Sequence, residues 1–246
     1  MREQRLQVPT RAGSADTFVC HPERGGPFPA VIFYMDAPGI REELYDMARR
    51  LASVGYFVMM PNLYYRHGHG TTCGPRCTED GHADFKRMIE LMLSLTNAMI
   101  AEDTAGFLAF LDTQSAVKKG PIGALGYCMS GPFAVTAGAN YPERFGAVAS
   151  YHGVPMVTDQ PDSPHLTAGR MKARSYFAFG EVDPLTPKKD VDAFKAALEK
   201  TSLRYELEVC AGATHGFVFP ERAGYHKEHA ERHWERLFEL FHRTIG

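Results

Sequence analysis

At 246 residues with 44% apolar content, the chain is long enough to bury a sizeable core and is expected to form one domain, 1–246. A formal charge of −2 with both signs interspersed offers no basic face for nucleic acid, and no apolar run approaches the roughly 18 residues of a membrane span. The polar start Met1-Arg2-Glu3-Gln4-Arg5 lacks the apolar core of a secretory signal, and five cysteines, an odd number, favour reduced thiols over a disulfide framework, so a cytoplasmic protein is expected.

In chain order, Arg5-Leu6-Gln7-Val8 and Thr17-Phe18-Val19-Cys20 alternate around Gly13, as two edge strands joined by a turn do. Ala30-Val31-Ile32-Phe33-Tyr34 and Tyr56-Phe57-Val58-Met59-Met60 are continuous apolar runs, the pattern of strands covered on both faces. Between them Leu44, Met47, Ala48 and Leu51 repeat at helical spacing, with Gly55 as the stop. Pro61 to Gly81 reads as a long loop rich in Gly, His and Tyr, of a length that is usually functional or disordered. Helices are predicted around Met88 to Leu95 and Thr104 to Leu111, then a strand Pro121-Ile122-Gly123-Ala124-Leu125 and a helix from Pro132. Phe145 to Tyr151, Tyr176 to Phe179 and Glu206 to Val209 follow as strands, Val191 to Leu198 as a helix, and Tyr225 to Phe241 as an amphipathic helix buried through Ala230, Trp234, Leu237 and Phe241. Alternating strands and helices give the α/β class: a mainly parallel sheet covered by helices on both faces, with functional groups at the carboxyl ends of strands.

Three such ends carry chemistry. Gly126-Tyr127-Cys128-Met129-Ser130-Gly131 lies between a strand and a helix, where small residues let the two cross closely and a strained backbone lifts one side chain out. The pattern is a nucleophile elbow with a thiol. Asp183 follows a strand in Gly180-Glu181-Val182-Asp183-Pro184, and His215 follows another in Gly212-Ala213-Thr214-His215-Gly216-Phe217. Nucleophile, acid, histidine is the chain order of α/β-hydrolases. Cys128 is therefore the expected nucleophile, His215 the base and then acid, and Asp183 the group that orients the imidazole. The oxyanion of an attacked acyl carbon needs backbone N–H donors, expected from Met129 and from Ala37, since Pro38 has none to give. Asp36, beside that donor, reads equally as a regulator of the thiolate and as a helix cap.

The chain resembles the dienelactone hydrolase family, α/β-hydrolases with a Cys, Asp and His triad on the elbow pattern Gly-x-Cys-x-Gly-Gly. Besides the elbow, the resemblance covers Gly55-Tyr56, Pro61-Asn62-Leu63-Tyr64-Tyr65-Arg66, Gly180 to Asp183 and His215-Gly216-Phe217. It implies cleavage of a small ester or lactone through a thioester, without cofactor or metal. It also implies a glutamate after the early strand that helps switch the cysteine to thiolate; Asp36 stands at that place. Family arginines hold a substrate carboxylate, one of them four residues after the catalytic histidine, where this chain has Phe219. The implied substrate is thus less anionic, bound among Tyr65, Arg66, Tyr127, Phe217 and Phe219.

Two other readings stand beside this one. His67, His69, Cys73 and Cys77 in the long loop have donor types suited to zinc or a thiol switch. A hydrolase fold can also serve as a non-catalytic binding module. His229 and His233, one turn apart, could chelate a metal on one face but read rather as a solvated flank beside Trp234, and His152 reads as lining the same cleft or, slightly favoured, as a core histidine paired with backbone. A monomer or homodimer, with no nucleic-acid or membrane partner, completes the expectation.

Overall fold

A computed structural model describes residues 1–74 and 76–246; Pro75, inside the loop predicted from Pro61 to Gly81, lies outside the described residues. The chain divides into two compact units, Met1–Gly120 and Pro121–Gly246.

The first unit opens with the expected hairpin, β1 (Arg2–Thr10) antiparallel to β2 (Gly13–His21), with Thr10 opposite Gly13. Polar β1 is mostly exposed, as an edge strand should be, whereas Phe18, Val19 and Cys20 of β2 are buried. β3 (Ala30–Tyr34) and β4 (Phe57–Pro61) are buried at every residue and pair in parallel, in the order β1-β2-β4-β3. Helix α1 (Glu42–Ser53) buries the predicted Leu44, Met47, Ala48 and Leu51, while Glu42 and Glu43 complement the dipole at its start. α2 (Ala83–Leu93) and α3 (Asn97–Thr113) both begin earlier than their apolar spacing indicated. The reason is capping: the His82 ring accepts from Asp84 N–H at 3.1 Å and Thr96 Oγ1 from Met99 N–H at 3.2 Å, so the first turns are fixed by their caps. The loop after β4 is not simply solvated. Tyr64, Tyr65, Cys73 and Cys77 in it are buried.

In the second unit β5 (Ile122–Tyr127), β6 (Phe145–Tyr151), β7 (Arg174–Gly180) and β8 (Tyr205–Cys210) pair in parallel in that order. Helix α4 (Ser130–Asn140) packs on β5 and β6, and every residue from Ser130 to Ala139 is buried. The short α5 (Pro164–Thr167) and then α6 (Lys188–Leu198) bracket β7, and α7 (Lys227–Thr244) packs on β6 and β7. The predicted stripe Ala230, Trp234, Leu237 and Phe241 is buried, joined by His233 and Leu240. The mixed α/β class with a mainly parallel sheet is the one the sequence indicated.

What positions the site is the crossing of β5 and α4. A Cβ on Gly126 would lie 1.9 Å from the Ser130 carbonyl oxygen, and one on Gly131 only 2.3 Å from Ser150 Oγ and 2.4 Å from Gly153 Cα. The contacts with Ser130 and Gly153 are to backbone, which a rotamer change cannot relieve. Gly212 is the useful contrast: its φ of 67 favours glycine, yet nothing lies within 4 Å of its missing Cβ. Gly126→Ala is expected to destabilise by about 3 kcal/mol or more, and Gly212→Ala by about 1–2 kcal/mol. Urea unfolding of the two variants checks the ranking; equal losses would show that the β5–α4 crossing is not tight.

Candidate active site

Cys128 is held at φ 53, and it and His152 at φ 40 are the non-glycine residues with positive φ among the described residues. Each such conformation costs about 1–3 kcal/mol and persists only where its surroundings enforce it. At Cys128 the enforcement is visible. Its N–H donates to the Tyr151 carbonyl at 3.2 Å, and its own carbonyl accepts from Gly131 N–H and Val154 N–H, both at 3.0 Å. The elbow is thereby tied to the end of β6, and the half-exposed thiol stands one residue before Met129, the cap of α4.

Asp183 and His215 come from the loops after β7 and β8, and backbone contacts fasten those loops together. Val182 N–H donates to the Ala213 carbonyl at 3.0 Å, Glu181 N–H to the Cys210 carbonyl at 3.0 Å, and Gly212 N–H to Glu181 Oε2 at 2.8 Å. Gly180 is required where the loops meet, because a Cβ there would lie 2.5 Å from the Ala213 oxygen. The result is a hydrogen bond of 2.7 Å from His215 Nδ1 to Asp183 Oδ2, while Asp183 Oδ1 accepts from Leu185 N–H at 2.8 Å. A carboxylate only accepts, so Nδ1 carries the hydrogen and Nε2 is left to exchange protons. Nε2 is buried and makes no hydrogen bond.

The electrostatics follow. Burial pushes the Asp183 carboxyl up, but the His215 hydrogen bond and charge and the Leu185 N–H outweigh it and hold it below the usual range. Burial likewise works against a charged His215; the neighbouring Cys128 sulfur and the Asp183 carboxylate overrule it and carry the imidazole up to about 10. The three groups act on one another as an acid, a base and a thiol in one electrostatic cluster.

An aromatic wall adjoins the base. His152, at the end of β6, packs edge to face on His215 with ring centroids 4.8 Å apart, and lies 5.6 Å from Phe217 and 5.5 Å from Phe219. It is fully buried with both ring nitrogens unpaired, so pairing of this ring with backbone is not found, and the ring lies against the base instead. Desolvation first, then the charges of His215 and Arg222, hold it well below the ordinary histidine range, hence neutral. Tyr127 is also fully buried, its hydroxyl 2.6 Å from His233 Nε2 and its ring 5.3 Å from Phe219. His233 is therefore a core residue and not part of a solvated flank, and His229 turns instead to the Ala211 carbonyl at 3.0 Å. Arg222 lies over the Phe219 ring at 5.5 Å.

In the first unit Asp36 is buried and held by Arg41, at 2.5 Å (Nη1 to Oδ1) and 3.2 Å (Nη2 to Oδ2), and Arg41 also binds Glu43 at 2.5 Å. Burial alone would depress the guanidinium, but Asp36 and Glu43 keep it charged. Asp36 does not cap α1, whose first turn has no side-chain cap. The Ala37 carbonyl accepts from Tyr64 OH at 2.7 Å. Arg66 grips buried Asp103 with both nitrogens, at 2.7 and 2.8 Å, over the Tyr65 ring, and Tyr65 OH donates to the same carboxylate at 2.7 Å. Of the long-loop donors, His67 meets Ser94 at 2.9 Å and His69 lies beside Asp16 at 3.8 Å, while Cys73 donates to the Pro38 carbonyl at 3.1 Å and is hydrogen-bonded with Cys77. Among the described residues they do not form a metal-type cluster.

The model of the dienelactone hydrolase family matches residues 15–245. A Synechocystis sp. protein assigned as a carboxymethylenebutenolidase is 28% identical over 241 residues, covering 96% of this chain and 94% of its own. One of the same assignment from Methylorubrum extorquens is 26% identical, over 96% of this chain and 79% of its own. Among solved structures, a protein assigned as a dienelactone hydrolase from Klebsiella pneumoniae superposes with a TM-score of 0.85 at 22% identity, covering 99% of both chains. The dienelactone hydrolase-like promiscuous phosphotriesterase P91, from metagenomic libraries, superposes at 0.82 with 20% identity over 100% of this chain and 99% of its own. At these identities the structural likeness establishes the fold, and the match over residues 15–245 places the chain in the dienelactone hydrolase family.

Proposed function

We propose that the chain hydrolyses a small ester or lactone through a thioester on Cys128. The observation that carries this reading is the His215–Asp183 bond of 2.7 Å, which leaves a buried, unpaired Nε2 under the influence of the Cys128 sulfur. The thiolate attacks the acyl carbon, and the carbonyl becomes an oxyanion for which the Met129 N–H is the first donor and the Ala37 N–H the second. His215, protonated, gives its hydrogen to the departing alkoxide as the carbon–oxygen bond breaks, leaving a thioester. Water then attacks, His215 takes its proton, and the carbon–sulfur bond breaks to release the acid and return the thiolate beside the protonated imidazole. Asp183 holds the ring and stabilises its cation throughout.

Asp36 takes the activating role that the family resemblance implies, and Arg41 is the cation that compensates its charge. The substrate is less anionic than a carboxylate-bearing lactone, because Phe219 supplies an aromatic wall where the family places an arginine, and Phe217 and Tyr127 extend it. Tyr65 and Arg66 remain candidates for substrate contact, with Arg66 committed to Asp103.

Cys128→Ala is expected to lower kcat on an activated ester by on the order of 10³-fold or more with the fold retained by circular dichroism. Cys128→Ser should keep the geometry and lose most of the rate, since a hydroxyl ionises far less readily. Hydrolysis that survives in the alanine variant would refute the mechanism.

The charge on His215 also sets a pH dependence. Its folded value, about 10, lies above the ordinary 6.5, so its stabilising contribution is fully present below about pH 6.5 and is lost as pH rises through about 10. Unfolding free energy measured in urea should fall over that window, and Asp183→Asn should flatten the fall. Identical profiles for the two proteins would contradict the ion pair.

A further inference from the structure

Beyond the triad, the carboxyl end of β8 and the first turns of α7 gather a second set of reactive groups. Glu208 and Cys210 are two residues apart on one strand and so share a face. One donor atom from each, and one from His229, all lie within 4.8 Å of one another. Cys210 is buried.

The imidazole and the carboxylate already have outer partners. His229 Nε2 is 3.0 Å from the Ala211 carbonyl. A carbonyl only accepts, so Nε2 carries the hydrogen and Nδ1 of the neutral ring keeps its lone pair. That Nδ1 is buried without a hydrogen bond. Glu208 Oε1 accepts from Arg232 Nε at 2.5 Å and Oε2 from Tyr176 OH, and each oxygen retains a second lone pair. Hydrogen bonds of this kind, from a histidine's far nitrogen to a carbonyl and onto a ligating carboxylate, are what orient metal ligands. His226 adds a further observation: its ring centroid is 4.4 Å from that of His229, and its Nδ1 too is buried and unpaired. The His229 nitrogen, beside a thiol and a carboxylate, belongs to a donor set short of an acceptor of electron pairs.

We propose that Glu208, Cys210 and His229 form a binding site for a divalent borderline metal ion, with zinc as the best match and His226 or solvent as the fourth ligand. Thiolate, imidazole and carboxylate are together the zinc donor set, whereas magnesium and calcium take oxygen ligands. Binding replaces the thiol proton: Cys210 S–H gives up one proton to solvent as the sulfur–metal bond forms, and no electron is transferred. The site uses none of the triad residues. It sits where the loop to His215 leaves β8, so the ion ties the start of that loop to α7.

The test is a titration of the full chain, made without a histidine tag and stripped with chelator, using zinc and then cobalt alone. The expected result is one equivalent bound with release of a proton, a thiolate-to-cobalt charge-transfer absorption, and a rise in thermal unfolding temperature with zinc. Cys210→Ala and His229→Ala should abolish all three, and Tyr176→Phe, which removes only an outer hydrogen bond, should weaken binding about 10–100-fold. Cys128→Ala should bind as the parent does. If Cys210→Ala fails to fold, the His229→Ala and Tyr176→Phe variants decide. No stoichiometric binding by the folded chain overturns the assignment, as does a cobalt signal that survives in His229→Ala or vanishes in Cys128→Ala.

Discussion

The close approach of backbone to backbone at Gly126 governs the second unit. With no Cβ there, the Ser130 carbonyl can come to 1.9 Å from where one would stand, so α4 starts directly under the end of β5. The turn between them is too short for relaxed geometry, and Cys128 takes the strain at φ 53. Three hydrogen bonds to Tyr151, Gly131 and Val154 hold it there. A thiol on a flexible loop would spend conformational entropy each time it met a substrate; this one has that cost met by the fold.

A second constraint acts on the other two members of the triad. Gly180 allows the loops after β7 and β8 to touch, and two backbone hydrogen bonds, with a third from Gly212 N–H to the Glu181 carboxylate, fix their spacing. The 2.7 Å bond between Asp183 and His215 follows from that frame. Burial opposes charge on both groups, yet each stabilises the charged form of the other, and the Cys128 sulfur adds to the effect on the imidazole. The pair is a charged unit in a dry setting, where a fixed dipole acts more strongly than in water.

Much of this was legible in the sequence because it rests on local patterns. Continuous apolar runs marked β3 to β6, glycines flanked the elbow, and an acid and a histidine each followed a strand. What escaped was partnership between residues far apart in sequence. Asp36 read as either a regulator or a cap; the structure gives it to Arg41, which also binds Glu43, a triple that no spacing rule indicates. Arg66 read as a cation open to substrate, but Asp103, buried in α3, takes both its nitrogens. His152 and His233 were read from their neighbours in sequence, whereas their settings are made by aromatic rings from other elements. The starts of α2 and α3 were missed because caps, not apolar residues, define them.

The central claim, a covalent acyl intermediate on a thiol, is tested most directly by intact mass spectrometry after incubation with a small activated ester, with peptide mapping and with chromophore release followed in parallel. The account predicts one acyl group per chain, mapped to Cys128, that appears during turnover and decays as substrate is exhausted. Turnover with no adduct at Cys128 under conditions that trap thioesters, or an adduct confined to another residue, would contradict it.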